Sequence, residues 1–334
     1  MKKRYVTIRD IAKAANVSIN TVSRALNNKP DINKETKKRV LEAAENLGYI
    51  KNVTASLLRK SSTKTIGVIF KDIVNPFFVE VLKGVEKATK ENNYSLLLID
   101  AEKNATIEKE SIKLMCEKRV DGILISPIRD RKKPANRFTE LDDLKIPYVI
   151  VGDHFEEISA DEIYANDLTG GYLATKHLVE KGRKKIIFLD VYSHNFVSYS
   201  RLTGYKKALN EANIPFDKNL IFKVKEETTV AYRKVIKILN EKVDFDAIFC
   251  FNDILAYGAL KAFREKGIKI PEDIMIVGYD DIIYSSIIDL TTIKIPKFEL
   301  GYRAFNMLLE KIEKKSRKSR KVVLDVKLIK RKTT

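Results

Sequence analysis

From Thr65 onward the chain alternates short, unbroken apolar runs with longer stretches of helical amphipathic spacing. The runs are "TIGVIF" (65–70), "YSLLLI" (94–99), "VDGILIS" (120–126), "PYVIV" (147–151), "KKIIFLD" (184–190), "LIFKV" (220–224), "DAIFCF" (246–251) and "DIMIVGY" (273–279). A strand apolar on both faces must be covered on both faces, and helices between such strands imply parallel sheets in an α/β fold. About ten strands are too many for one small doubly wound sheet. The expectation is two doubly wound lobes, with a ligand site between them at the carboxyl ends of the strands. Lobe 1 is expected at about 63–162 and 292–322, lobe 2 at about 163–291 and 323–334.

The segment before this core has a different grain. In "VTIRDIAKAANVSINTVSRALNN" (Val6 to Asn28) apolar residues recur twice at helical spacing, with a short polar break. Thr7 followed by Asp10 opens a helix in the manner of a capping box. Ile11, Ala14 and Ala15 mark its apolar face, and Asn16 can end it in a left-handed conformation. Ser18 caps a second helix through about Asn27, with Val22 and Leu26 inward. Asn33 caps a third, with Val40, Leu41 and Ala44 inward and Gly48 as its stop. Residues 1–51 thus read as a three-helix headpiece containing a helix-turn-helix. Residues 52–62 follow as a linker. There Asn52 caps a helix of about eight residues, too short to be stable alone in water. It is expected to order only when something packs on it.

Charge separates the same parts. Residues 1–64 hold 15 Lys/Arg against 5 Asp/Glu, residues 311–334 hold 11 against 2, and residues 65–310 hold 37 against 38. A nearly neutral body therefore carries a basic head and tail. A basic head of about sixty residues fits a polyanion-binding module. For the tail, a solvated loop and strand is the preferred reading. No apolar run approaches the roughly 20 residues that span a bilayer. The basic start "MKKRYVTIRD" has no apolar segment behind it, so no signal peptide is expected and a cytoplasmic setting is. Cys116 and Cys250, the only two cysteines, read as buried free thiols of a reducing compartment.

The search for catalytic or metal chemistry is negative. The three histidines, His154, His177 and His194, lack metal-ligand spacing, and phosphate-loop, dinucleotide and nucleophile-elbow motifs are absent. No enzyme, metal or cofactor is expected. Polar and aromatic residues instead follow the strand ends: Phe77 and Phe78, Asp153, Arg201, Asn252 and Asp280. Ring faces, carboxylates, an amide and a guanidinium suit a hydroxyl-rich ligand such as a sugar. The alternative for each Asn and Asp is a helix cap, and Asp253 and Asp281 read as caps or as support behind the site. In the head, the second helix would expose Ile19, Asn20, Ser23, Arg24 and Asn27. Arg fits the guanine edge and Asn the adenine edge in the major groove, and Ile19 can meet a thymine methyl. Thr7, Thr21 and Ser23 suit phosphate oxygens, which position without reading sequence, and Ser18 belongs to the same DNA-facing set.

The head, "ETKKRVLEAAENLGYIKN", "KTIGVIFKDIVNPFFVEVLKGVE", "NDLTGGYLATKHLVEKGRKKI", "RLTGY", "AIFCFNDILAYGALKAF", "IPEDIMIVGYDD" and "LTTIKIPKFELG" closely resemble the lactose and galactose repressor family of bacterial transcription factors, in the family's order. The resemblance implies a helix-turn-helix headpiece, a hinge helix, and an effector-binding and dimerisation core like a periplasmic sugar-binding protein. It implies base contacts from Ile19, Asn20 and Arg24, hinge contacts to DNA from Ala55, and a minor-groove wedge at Leu58. In the core it implies effector contacts from Phe77, Phe78, Arg201, Asn252 and Asp280, and pairs Asn166 with Asp167 at the start of lobe 2. Lys51, Ser56 and Ile295 depart from the family pattern, where Pro, a basic residue and Gln are common. No leucine heptads follow "KLIKRKTT", so a homodimer is expected.

The implied function is a repressor of carbohydrate-utilisation genes that binds a near-palindromic double-stranded operator. Its control would come from a sugar, phosphosugar or sugar acid held between the lobes. An activator with the same core is an alternative, as is a sugar-binding transport protein, though the latter predicts a signal peptide and no basic head. Nothing in the sequence speaks for a phosphocarrier partner.

Overall fold

A computed structural model describes residues 6–49, 62–128, 138–156, 158–192, 196–314 and 318–334. The expected hinge contacts Ala55 and Leu58, with Lys51, Ser56 and His194, lie outside the described residues. The chain forms two compact units, Met1–Ser62 and Thr63–Thr334.

In the first unit three helices appear, α1 (Ile8–Ala15), α2 (Ile19–Leu26) and α3 (Lys34–Asn46). The Asp10 carboxylate accepts from the Thr7 backbone N–H at 2.8 Å and from its hydroxyl at 2.7 Å. Asn16 closes α1 at φ 51°, which Asn tolerates better than most residues. The Ser18 hydroxyl accepts from the Thr21 N–H at 3.1 Å and starts α2. Gly48 ends α3 at φ 65°. The core is Ile11, Ala12, Ala15, Val22, Ala25, Val40 and Ala44. Three expectations need correction. Ala14 is exposed, Leu26 is only half-buried, and Leu41 is 43% exposed. Helices this short cross closely, so the methyls of Ala12 and Ala25 take the central places and the larger Leu26 stays at the rim.

The second unit is two six-stranded sheets. The first runs β2 (Ser95–Asp100), β1 (Thr65–Phe70), β3 (Gly122–Ile125), β4 (Tyr148–Val151), β5 (Asp161–Ala165), β11 (Lys321–Leu324), all parallel. The second runs β7 (Ile221–Val224), β6 (Ile186–Val191), β8 (Ala247–Cys250), β9 (Met275–Asp280), β10 (Thr291–Lys294), β12 (Lys327–Ile329), parallel except for β12 against β10. On the first sheet, α4 (Pro76–Glu91) and α11 (Lys297–Ile312) pack into one cluster with Val68, Val149 and Ile163. The opposite face is covered by α5 (Ala105–Glu117) and α6 (Thr139–Asp143). On the second sheet, α7 (Asp167–Glu180) and α8 (Phe196–Glu211) cover one face. The other is covered by α9 (Thr228–Asn240) and α10 (Asp253–Glu265).

The chain crosses between the sheets three times, after Ala165, after Lys294 and after Leu324. These crossings lie a few residues beyond the expected ones, and Thr291–Lys294 joins the second sheet rather than the first. The strands absent from the apolar-run reading are β5, β10, β11 and β12. Each carries polar residues that the fold buries or places at an edge. In β5, Asp161 and Glu162 are fully buried. Asp161 accepts from the Arg320 N–H at 2.7 Å, and Glu162 holds His154 Nδ1 at 2.5 Å.

Helices α7 and α8 touch backbone to backbone. A Cβ at Gly171 would lie 2.2 Å from the Arg201 carbonyl oxygen, and one at Gly204 2.1 Å from that of Leu168. Only glycine permits this approach. Cys250 is buried as expected, whereas Cys116 is only half-buried, because α5 presents it at the margin of its cluster. No described helix is long and apolar enough to cross a membrane.

Candidate functional site

In the headpiece, the outer face of α2 presents the expected residues unevenly. Ile19 is 43% exposed. Asn20, Ser18, Thr7 and Asn27 are exposed, and Thr21, Ser23 and Arg24 half-buried. Several already carry local bonds: the Asn27 amide donates to the Ser23 carbonyl at 2.8 Å, and the Ser18 and Thr21 hydroxyls share a bond of 2.8 Å. Arg24 forms an ion pair with Asp31, a partner the sequence reading did not single out. Both side chains are about half exposed, so the pair is easily exchanged for another acceptor.

In the core, both sheets reverse strand order beside their first strand, between β1 and β3 and between β6 and β8. Ligands of doubly wound sheets bind at such points. A cavity of about 340 Å³ lies there, lined by both lobes. All six residues picked from the strand ends line it: Phe77, Phe78, Asp153, Arg201, Asn252 and Asp280. Their surroundings differ. Phe77 is half-buried and packs on clusters of both lobes. Phe78 is 3% exposed and belongs mainly to the lobe 1 core, 5.1 Å from Phe70. Asp153 accepts from the His154 N–H at 2.8 Å. His154 itself stacks on Tyr164 and meets Phe196 of lobe 2 edge-on at 4.6 Å.

Arg201 is the centre of the polar floor. It is buried, its Nε donates to Asp167 at 2.8 Å, and its guanidinium also donates to the Phe251 carbonyl. Asp280 stands 3.7 Å away. The guanidinium plane covers Tyr279 at 3.5 Å and Phe251 at 4.4 Å. Burial works against the charge, but Asp167, the Tyr279 phenol and Asp280 outweigh it and hold Arg201 firmly protonated. Burial is the dominant influence on the two carboxyls. It raises Asp167 and pushes Asp280 up to about 8, in spite of Arg201. Asp280 also has φ 100° and Asp281 φ 52°, a left-handed stretch that non-glycine residues adopt only when held. Lys297, buried at the start of α11, supplies the hold. Its ammonium donates to the carbonyls of Asp280 and Asp281 and lies 3.5 Å from Glu80.

Neither Asp253 nor Asp281 caps a helix; both brace the backbone and strands behind the cavity instead. Asp253 is fully buried and accepts from the Ile282 N–H and the Ser285 and Thr292 hydroxyls at 2.6–2.9 Å. Asp281 pairs with Arg331 at 2.7 Å. Asn252 and Asn75 cap helices and line the cavity at once. Ile295, the departure from the family pattern, is buried and lines the cavity as an apolar wall.

The sequence reading missed Lys71, Lys103, Ser126, Tyr192 and Glu226, which also line the cavity. The signal for Ser126 and Glu226 was present, since Ser126 closes the run 120–126 and Glu226 follows the run 220–224. Lys103 reaches the cavity from the loop between β2 and α5. Among the described residues no group of acidic, His or Cys side chains is placed to hold a metal ion.

Residues 63–332 match the family model for periplasmic binding proteins and the sugar-binding domain of the LacI family, and residues 7–52 match that for bacterial regulatory proteins of the lacI family. The chain is 36% identical to the HTH-type transcriptional repressor PurR of Vibrio atlanticus, over 98% of each chain. Among solved structures it resembles the lac repressor dimer bound to operator and the anti-inducer ONPF, with TM-score 0.88, 26% identity and 99% of each chain covered. It also resembles a LacI family regulator from Enterococcus faecium with bound ribose, with TM-score 0.73 and 29% identity, covering 81% of this chain and 98% of that one.

Proposed function

This chain belongs to the lacI family of bacterial regulatory proteins, DNA-binding transcriptional regulators, and from that premise we propose that it is a homodimeric repressor of carbohydrate-utilisation genes. In this reading two headpieces bind adjacent major-groove half-sites of a near-palindromic operator. Ile19, Asn20 and Arg24 read base edges, while Thr7, Ser18, Thr21, Ser23 and Asn27 fix the helix on the backbone. Ala55 and Leu58 act at the operator centre, with Leu58 as a minor-groove wedge. The effector is a sugar, phosphosugar or sugar acid held by Phe77, Asp153, Arg201, Asn252 and Asp280, with Phe78 buttressing Phe77.

The observation that carries the reading is the convergence of residues from both lobes on one cavity of about 340 Å³. A ligand there touches two bodies joined by three chain crossings, so binding energy biases their relative angle. A coupling of about 1–3 kcal/mol changes operator affinity roughly 5- to 150-fold.

The test is selection of duplexes from a random pool by the full chain, followed by thermal-shift screening of a sugar and phosphosugar library. The expected outcome is a near-palindromic site, and at least one compound that raises the melting temperature and alters affinity for that site. A pool without enrichment, or a stabilising compound that leaves DNA affinity unchanged, overturns it.

A further inference from the structure

One carboxylate bridges the cleft. In lobe 1 the Asn75 Oδ1 accepts from the Phe77 N–H at 3.0 Å and caps α4. In lobe 2 the Asn252 Oδ1 accepts from the Leu255 N–H at 3.1 Å and caps α10. Each cap uses the oxygen of its amide and turns the NH₂ group toward the cavity. Both NH₂ groups donate to the same atom, Glu226 Oε1, at 2.7 Å from Asn252 and 3.3 Å from Asn75. Glu226 follows β7 and is half-buried. Lys103 of lobe 1, held by Asp72 at 2.7 Å, senses the same group. Burial opposes its charge, yet Glu226, with Asp72 and Glu227, raises its pKa above the ordinary value.

We propose that Glu226 is a clasp that ties the two lobes across the cleft, and that a ligand works the switch by placing its own hydrogen-bond acceptor between the two amides. The two halves of the clasp are unequal. The bond within lobe 2 is short, while the bond across the cleft is near the limit of a hydrogen bond. The crossing bond therefore yields first, and Glu226 stays with lobe 2. Charge supports the tie: a carboxylate accepting from amides, with an ammonium from the opposite lobe nearby, favours approach of the lobes. The part played by the ligand rests on the cleft being the effector site; the tie between the lobes does not.

The test measures the lobes directly and needs no ligand. Spin labels are placed on the full chain through Lys113→Cys on α5 and Lys237→Cys on α9, both exposed, with Cys116→Ser to remove the half-buried thiol. Distances are read by pulsed electron resonance. Glu226→Ala is expected to lengthen and broaden the distribution. Asn75→Asp keeps the oxygen that caps α4 but sets a second carboxylate against Glu226, so it is expected to lengthen the distance in the parent. In the Glu226→Ala background it should add nothing. Glu226→Gln, which keeps Oε1, should fall between parent and Ala. Unchanged distributions for both Glu226→Ala and Asn75→Asp overturn the proposal, as does an Asn75→Asp shift that persists without Glu226. Either result leaves the effector reading standing, because that reading is tested by binding and not by lobe distance.

Discussion

Gly171→Ala should damage the cleft from behind. A methyl there would sit 2.2 Å from the carbonyl oxygen of Arg201 and 2.8 Å from its carbonyl carbon and Cα. All three atoms are backbone, so no side chain can swing away. To regain ordinary contact α7 and α8 must part by about 1 Å. The same two helices carry the partners of the buried ion pair, Asp167 on α7 and Arg201 on α8, joined at 2.8 Å. A separation of about 1 Å takes that bond past hydrogen-bonding distance. Overpacking costs about 1–3 kcal/mol, and the lost charged bond about 1.5–3 kcal/mol. The better helix propensity of Ala returns about 1 kcal/mol. The net is a loss of about 2–5 kcal/mol. At about 2–4 °C per kcal/mol for a core of this size, melting should fall by roughly 4–20 °C. Circular dichroism melts would measure it, with Gly182→Ala as the control. Gly182 has φ 85° and open space around its missing Cβ, so that variant carries backbone strain alone, about 1 kcal/mol. A Gly171→Ala melt within 2 °C of the parent, or no lower than Gly182→Ala, would refute the reasoning.

Three further outcomes are expected. Arg24→Ala should lose about 1–3 kcal/mol on the selected operator and relax preference at one base pair; an equal loss on every sequence would reduce Arg24 to a phosphate contact. Arg201→Ala strands two buried carboxyls and should destabilise by about 3–5 kcal/mol. It should also abolish stabilisation by any compound found in the screen while sparing operator binding below its melting point; a retained ligand response would remove Arg201 from the site. Burial, foremost, pushes the Asp253 carboxyl up to about 6 from 3.8, so the folded state holds its proton more tightly than the unfolded chain. Its contribution to stability is therefore greatest below pH 4, declines as pH rises through 6, and is flat above. Asp253→Asn removes that term, so the stability gap between parent and variant should change by up to about 3 kcal/mol between pH 4 and 7. Parallel urea midpoints across that range would contradict it.

The apolar runs disclosed eight of the strands because a strand covered on both faces leaves no polar residue to hide it. They missed β5 because its Asp161 is buried against Arg320 and Lys311, distant in sequence, and its Glu162 against His154 on the loop before it. Pairing of that kind leaves no local signature. The cavity was legible where a polar residue follows a strand: the rule found Asn252 and Asp280, and applied to "LIFKV" it would have found Glu226. Lys297 was out of reach. A lysine at the start of a helix reads as solvated, and only the left-handed turn at Asp280 and Asp281 gives its ammonium two carbonyls to bind. In the headpiece the periodicity placed three helices correctly but assigned Leu26 and Leu41 inward on hydrophobicity, where space favoured alanine.

The three crossings between the lobes also fix an order of assembly during synthesis. Helix α11 and strand β11 of lobe 1, and strand β12 of lobe 2, are made last. Neither sheet can be finished until the ribosome has passed Leu324 and Ile329. The headpiece, complete by Gly48, has no such wait. At about 5–20 residues per second, the module proposed to read DNA leaves the ribosome roughly a quarter of a minute to a minute before its control can exist. Until then β5 and β10 lack their outer partners and the first sheet lacks the cover of α11, so the last forty residues are the step that completes both lobes.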